Sequence, residues 1–160
     1  MSNYLVITSS GGSGHKVASK MIAEQKKEKN PSNRVHEIDV MKSGCSFGSY
    51  VGSILTNLWD EAQFEGDIDR QRKLFVLQPL AEKVFFASTF ITLFFHLLFS
   101  ETPKKIVCVQ PLHLLAITSA VRAVNFIKFT SKKIDKIDLH FTDLPSEKAE
   151  HFMGALHRLR

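Results

Sequence analysis

The chain has little of what would staple or metallate a small domain. Its 160 residues hold two cysteines, Cys45 and Cys108. Neither has a CxxC partner, and two thiols cannot build a disulfide framework, so zinc and redox classes find no support. Cys108 stands in an apolar run and reads as packing, whereas Cys45 stands in a polar loop. Such usage suits a reducing, cytoplasmic compartment. His36, His140, His151 and His157 show no metal-ligand spacing, and no metal site or cofactor is expected. Long membrane-spanning runs are missing too. The Phe-rich uncharged stretch Val84 to Phe99 has 16 residues, short of the roughly 17–25 that cross a bilayer. Met1-Ser2-Asn3 leads straight into a strand-like run, so no signal peptide is expected. No RNA-binding aromatic motif accompanies the net charge of +5, which argues against a nucleic-acid partner. The basic patches (Lys26, Lys27 and Lys29; Lys104 and Lys105; Lys132, Lys133 and Lys136; Arg158 and Arg160) read as solvated faces, with attraction to an anionic membrane surface as the alternative.

What is present is an alternation of apolar runs and helical stripes. Tyr4 to Thr8 is a short run with β-branched residues and reads as a buried strand. Ser9 to Gly14 is a loop. A helix follows, with Val17, Ala18, Met21 and Ile22 as its stripe, and it stops before Asn30-Pro31. Arg34 to Val40 is a second strand. Lys42 to Ser53, rich in Gly and Ser, has turn chemistry and reads as a loop. Helical material from about Tyr50 to Leu77 is interrupted by the polar stretch Glu65 to Arg72. Pro79 then opens an apolar helix, Leu80 to Phe99. Lys105 to Val109 is a third strand, closed by Gln110-Pro111. Leu114, Ile117, Val121, Val124 and Lys128 form a helical stripe. Ile137 to Phe141 is a fourth strand, Thr142 to Pro145 a loop, and a last helix begins near Ser146. Residues 1–160 therefore read as one α/β domain, a Rossmann-like parallel sheet with helices on both faces. Ligands of such sheets bind beyond the carboxyl ends of the strands. Ser9 to His15, Gln110 to His113, and Thr142-Asp143 all map there.

The first of these loops carries the strongest signal. A strand, a Gly-rich loop and a helix start together make a site for an anion or a hydroxyl, because glycine lets backbone N–H groups approach and the helix end is partly positive. It is not a P-loop, since Lys16 follows His15 rather than Gly. It is not a hydrolase nucleophile elbow, since His15 stands where GxSxG requires Gly. Gly12-Ser13-Gly14-His15-Lys16-Val17 is a dinucleotide fingerprint with Val in place of the third glycine, and Asp39 lies where a ribose-binding acid would sit. His15 adds a different possibility. A helix N-terminus disfavours imidazolium, leaving an imidazole that can accept a proton from a ligand hydroxyl. A capping or surface histidine is the plainer reading of the same residue.

Ser9-Ser10-Gly11-Gly12-Ser13-Gly14-His15 followed by Ala18 resembles the opening of monogalactosyldiacylglycerol synthases and related bacterial diacylglycerol glucosyltransferases. It is more distantly similar to the transferase that adds N-acetylglucosamine to a lipid-linked peptidoglycan precursor. Ile106 to Pro111 stands where that family has a strand ending in a polar-Pro turn. His140-Phe141-Thr142-Asp143-Leu144 stands where it has a strand ending in Thr-Asp. Two departures stand out. Gln110 replaces the histidine that often precedes the proline, and His113 comes three residues later. The family's C-terminal domain, which binds the nucleotide-sugar, has no counterpart in these 160 residues.

The resemblance implies the N-terminal, acceptor-side half of a GT-B fold, moving a sugar from a nucleotide-sugar on a second domain or subunit to a lipid acceptor. It implies His15 as base, with Gly11, Gly12, Ser13, Gly14, Gln110, His113, Thr142 and Asp143 lining the acceptor site. Asp143 reads equally well as a helix cap. A non-catalytic binding module and a dinucleotide-dependent oxidoreductase domain are the alternatives. His96 reads as a helix-interface residue. The Phe-rich helix holds more phenylalanine than one face of a small domain buries, so part of it is expected to meet lipid or another domain, giving a peripheral membrane contact.

Overall fold

The computed structural model describes residues 2–9, 13–42, 46–128, 133–134 and 136–140. The elements are β1 (Asn3–Thr8), α1 (Ser13–Lys29), β2 (Arg34–Asp39), α2 (Ser46–Phe64), α3 (Ile68–Phe99), β3 (Lys105–Cys108), a 3-10 turn (Pro111–His113), α4 (Leu114–Ile127) and β4 (Ile137–Leu139). The fold is α/β and Rossmann-like: four parallel strands in the order β2-β1-β3-β4. Tyr4 pairs with Lys105 and Ile7 with Cys108, while Asn3 to Thr8 run alongside Arg34 to Asp39.

Leu5, Val6 and Ile7 of β1 and Ile106, Val107 and Cys108 of β3 are all buried. That is why both strands read as continuous apolar runs: a parallel sheet is covered on both faces. Side chains alternate across the pleat. Leu5, Ile7, Ile106 and Cys108 join Leu93 and Leu97 of α3 and Ile117, Ala120, Val121 and Val124 of α4 in one cluster. Val6 and Val107 face the other way, toward the side where α1 packs on β1 and β2.

Three expectations are corrected. The stripe assigned to α1 holds for Ala18 and Ile22, which are half-buried, but not for Val17 and Met21, both 56% exposed, and the buried residues are Ser19 and Ala23. Small residues let this helix lie close to the sheet, so bulk was a misleading guide to its inner face. The loop assigned to Lys42–Ser53 is helical from Ser46, and Gly52 is buried within it. A Cβ at Gly52 would lie 3.5 Å from Met41 Cβ and 3.6 Å from Phe85 Cε1, ordinary contact distances, so α2 packs against both residues there. Finally, Pro79 does not open a helix but sits inside α3, which runs unbroken for 32 residues, about 48 Å at 1.5 Å per residue. The missing N–H removes one intrahelical bond, a local cost that the packing of the following four turns outweighs.

The polar break lies earlier, at Gly66-Asp67. Gly66 has φ +67°, a region that favours glycine. The Asp67 N–H donates to Ala62 O at 3.0 Å and the Gly66 N–H to Gln63 O at 3.2 Å, closing α2 with a Schellman turn. Asp67 then caps α3, its carboxylate accepting from the Arg70 N–H at 2.9 Å. At the far end, Lys128 Nζ donates to Leu97 O at 2.7 Å and to Ser100 O and Thr102 Oγ1 at 3.3 Å. This ties the end of α4 to the end of α3 and satisfies helix-terminal carbonyls. Among the described residues, no helix is long and apolar enough to cross a membrane.

Leu93 has no exposed surface and lies at the centre of the α3–α4–sheet cluster. Leu93→Ala should lower unfolding stability by about 2–5 kcal/mol, read from the urea midpoint. Val17→Ala should change it by no more than about 0.5 kcal/mol. A comparable loss at Val17 would contradict the orientation of α1.

Candidate functional site

The order β2-β1-β3-β4 contains a switch point. From β1 the chain passes through α1 to β2 on one side; from β3 it passes through α4 to β4 on the other. The two departures to opposite sides put the switch point at the carboxyl ends of β1 and β3, which is where sheets of this kind place ligands. Backbone bonds fix both strand ends. The Val40 N–H donates to Thr8 O at 3.1 Å and the Val109 N–H to Ile7 O at 3.2 Å. Just beyond, the Ser9 hydroxyl donates to Gln110 Oε1, joining the two ends side chain to side chain. Ser9 is fully buried.

Around this bridge stand groups from four elements. His15 lies in the first turn of α1, half-buried, with its carbonyl accepting from Thr8 Oγ1 at 3.4 Å. Asp39 ends β2. Its Oδ1 accepts from the backbone N–H of Met41 at 3.1 Å and of Lys42 at 3.3 Å, an Asx turn that sets the exit from the strand. His113 ends the 3-10 turn and is 2% exposed. Its Nδ1 lies 3.0 Å from Thr89 Oγ1 of α3, and Phe85 packs against its ring edge-on at 6.1 Å.

Burial pushes the His113 imidazole down to about 4, against a smaller upward pull from the Asp39 carboxylate and with a further downward push from His15. Thus Asp39 and His15, from other elements, both lie near enough to act electrostatically on His113. The imidazole of His113 stays neutral because a desolvated imidazolium is costly. Cys108 sits beside this group without chemistry of its own: burial pushes its thiol up to about 12, and Sγ donates to Gln110 O at 2.9 Å. A thiol held protonated is no nucleophile, which agrees with its reading as packing.

Of the residues singled out from sequence, His15, Gln110 and His113 come together. Gly14 is exposed at the start of α1, and a Cβ there would meet nothing within 4 Å. Internal packing therefore gives no reason for glycine at that position. Ser13 begins α1. Gly11, Gly12, Thr142 and Asp143 lie outside the described residues. Sequence reasoning missed Thr89 and the role of Ser9 as the bridge to Gln110. Thr89 had no visible signal, being one polar residue in a Phe-rich helix. Asp39 was noticed only as a ribose acid; here it works on a turn and on His113. No protein-family model matches the chain, and comparisons with curated proteins and with solved structures give no match.

The buried neutral His113 makes stability depend on pH. An imidazole lowered from 6.5 to about 4 on folding binds fewer protons in the native than in the unfolded state across that window. Stability is therefore fully present above about pH 6.5 and is lost as the pH falls toward 4. The loss between pH 7 and pH 5 should be about 2 kcal/mol. His113→Asn, which keeps a polar atom for Thr89, should remove most of that slope. Urea unfolding of both proteins at the two pH values checks it, and an unchanged slope in the variant would contradict the assignment.

Proposed function

We propose that the domain is the acceptor-binding half of a glycosyltransferase that moves a sugar from a nucleotide-sugar to a lipid acceptor. The observation that carries the reading is that His15, Asp39 and His113 come from three separate elements to the switch point, near enough for Asp39 and His15 to act on His113. The motif resemblance supplies the reaction; the crevice supplies groups suited to it. In the step, the acceptor hydroxyl gives its proton to the His15 imidazole. The hydroxyl oxygen bonds to the anomeric carbon. The bond from that carbon to the nucleotide diphosphate breaks, and its electron pair leaves on the diphosphate. A second domain or subunit holds the donor. Among the described residues nothing lies within 4 Å of a Cβ placed at Gly14, which supports the reading by leaving room for an acceptor headgroup.

A second feature supports a lipid acceptor. On α3, Val76, Leu80, Val84, Ile91, Phe95 and Phe99 are exposed. Their spacings of four and seven keep them on one face. The buried Phe85, Thr89, Leu93 and Leu97 form the opposite face. The outer stripe spans about 35 Å of helix, and the Phe95 and Phe99 rings stack along it at 6.1 Å. A contiguous apolar stripe on a chain of net charge +5 suits peripheral attachment of a cytoplasmic enzyme to the anionic surface that holds its acceptor.

The test is His15→Ala in the enzyme complete with its donor-binding half. Transfer should fall by about 10²–10⁴-fold, while the thermal midpoint stays close to that of the parent because His15 is only half-buried. Near-normal turnover in a folded variant would refute the base assignment.

A further inference from the structure

A second polar region lies at the opposite end of the sheet from the switch point, one strand length or about 20 Å away. There a cavity of about 480 Å³ opens where β1, β2 and β3 begin, lined by Asn3, Arg34, Glu101, Thr102, Lys104 and Lys133 among others. Strand pairing assembles it. Asn3 stands beside Arg34 in the register of β1 and β2, the Lys104 N–H donates to Asn3 O at 2.8 Å, and Lys133 precedes β4. Two basic runs that are separate in sequence thus each send a lysine to one cavity, where an arginine from a third segment joins them. The neighbouring Lys105 and Lys136 are neutralised by Asp138, at 3.1 and 3.5 Å. Among the described residues, Lys104 and Lys133 have no ion pair. Arg34 meets Glu101 through Nη1 at 3.4 Å, an exposed pair of small worth. Its Nη2 and Nε are left unbonded among the described residues, so most of the planar fork is open to a ligand. Glu101 is the one carboxylate in the lining, and the Asn3 amide donates to it at 2.6 Å. Three cations against one carboxylate that is already bonded leave net positive charge facing the cavity.

We propose that this cavity binds a small phosphate monoester with a polar body. A monoester brings close to two negative charges and three acceptor oxygens at neutral pH. That matches the open side of the Arg34 fork together with the ammonium groups of Lys104 and Lys133. A carboxylate brings one charge and two oxygens, and leaves a cation unanswered. The volume falls in the range of roughly 300–1,000 Å³ that small-ligand pockets occupy, so it takes the body of the ester as well as its phosphate. Pro103 is the one lining residue with an apolar side chain. Covering Asn3, Glu101 and Thr102 with an apolar body would cost their hydrogen bonds to water, whereas hydroxyl groups can replace those bonds. The inference uses no residue of the switch point and stands apart from the reading of that site.

The test is a titration of the ¹⁵N-labelled chain with ribose 5-phosphate at low salt, followed on the backbone amide signals. Those of Asn3, Arg34 and Lys104 should move. Inorganic phosphate should move the same signals with lower affinity, and ribose should leave them in place. Arg34→Gln and Lys104→Gln should each weaken ribose 5-phosphate binding by about tenfold. Both side chains are exposed, so either variant should fold as the parent does. Lys73→Gln removes the same charge about 40 Å along α3 from Phe99 and should change the affinity by no more than about twofold. Signals that ribose 5-phosphate does not move at millimolar concentration overturn the proposal. So does an equal loss in Lys73→Gln, which would mark attraction to net charge, or an equal response to ribose. Phosphatidylglycerol vesicles that perturb these signals when ribose 5-phosphate does not would make the region a membrane contact and overturn it too.

Discussion

A parallel strand has no sequence neighbour to shield it, so its stability depends on helices covering both faces of the sheet. Here that constraint falls on β1 and β3, whose central side chains are buried on both sides. The strands meet although a hundred residues separate them, and each leaves toward the opposite edge of the sheet. The switch point at their carboxyl ends follows from that arrangement. It is the place where chain-distant polar groups can gather without crossing the core: Ser9 with Gln110, and His15 with His113.

The crevice draws on both covering layers. His15 comes from α1, on one face. His113 follows β3 and is held by Thr89 of α3, on the other. The two imidazoles therefore have different surroundings. One stands half-buried at a helix start, and the other is sealed against an aromatic ring and a hydroxyl. A half-buried imidazole can exchange a proton with a ligand, whereas a sealed neutral one is confined to hydrogen bonding through its two ring nitrogens. This division suits a site that must hold an acceptor by one oxygen and activate it at another. The exposed apolar face of α3 lies on the same helix as Thr89, so one element carries both.

The parts of this architecture that sequence revealed are those with local causes. β1 and β3 were legible because full burial makes a strand apolar throughout, and α4 because Ile117, Val121 and Val124 recur at helical spacing. The turn at Gly66-Asp67 announced itself by its polar neighbours. Elsewhere the cause was tertiary. The inner face of α1 is marked by small residues that permit close packing, so its bulkier outer residues drew attention. The start of α2 carries Gly and Ser that favour turns in isolation, and the helix there is held by packing against Met41 and Phe85, which lie outside it. Pro79 is tolerated inside α3 because distant packing stabilises the helix. In the crevice, His15, Gln110 and His113 could be placed by their positions after strands. Thr89 could not, since its partner lies 24 residues away and no spacing rule connects them.

The central claim is that a lipid acceptor occupies the crevice between the ends of β1 and β3. Photocrosslinking with a diacylglycerol that carries a diazirine on its glycerol backbone, followed by mass spectrometric mapping, addresses it directly. The account predicts labels on the peptides that contain His15 and His113, suppressed by excess unlabelled diacylglycerol. Labels confined to the outer stripe of α3, with none in the crevice, would contradict it.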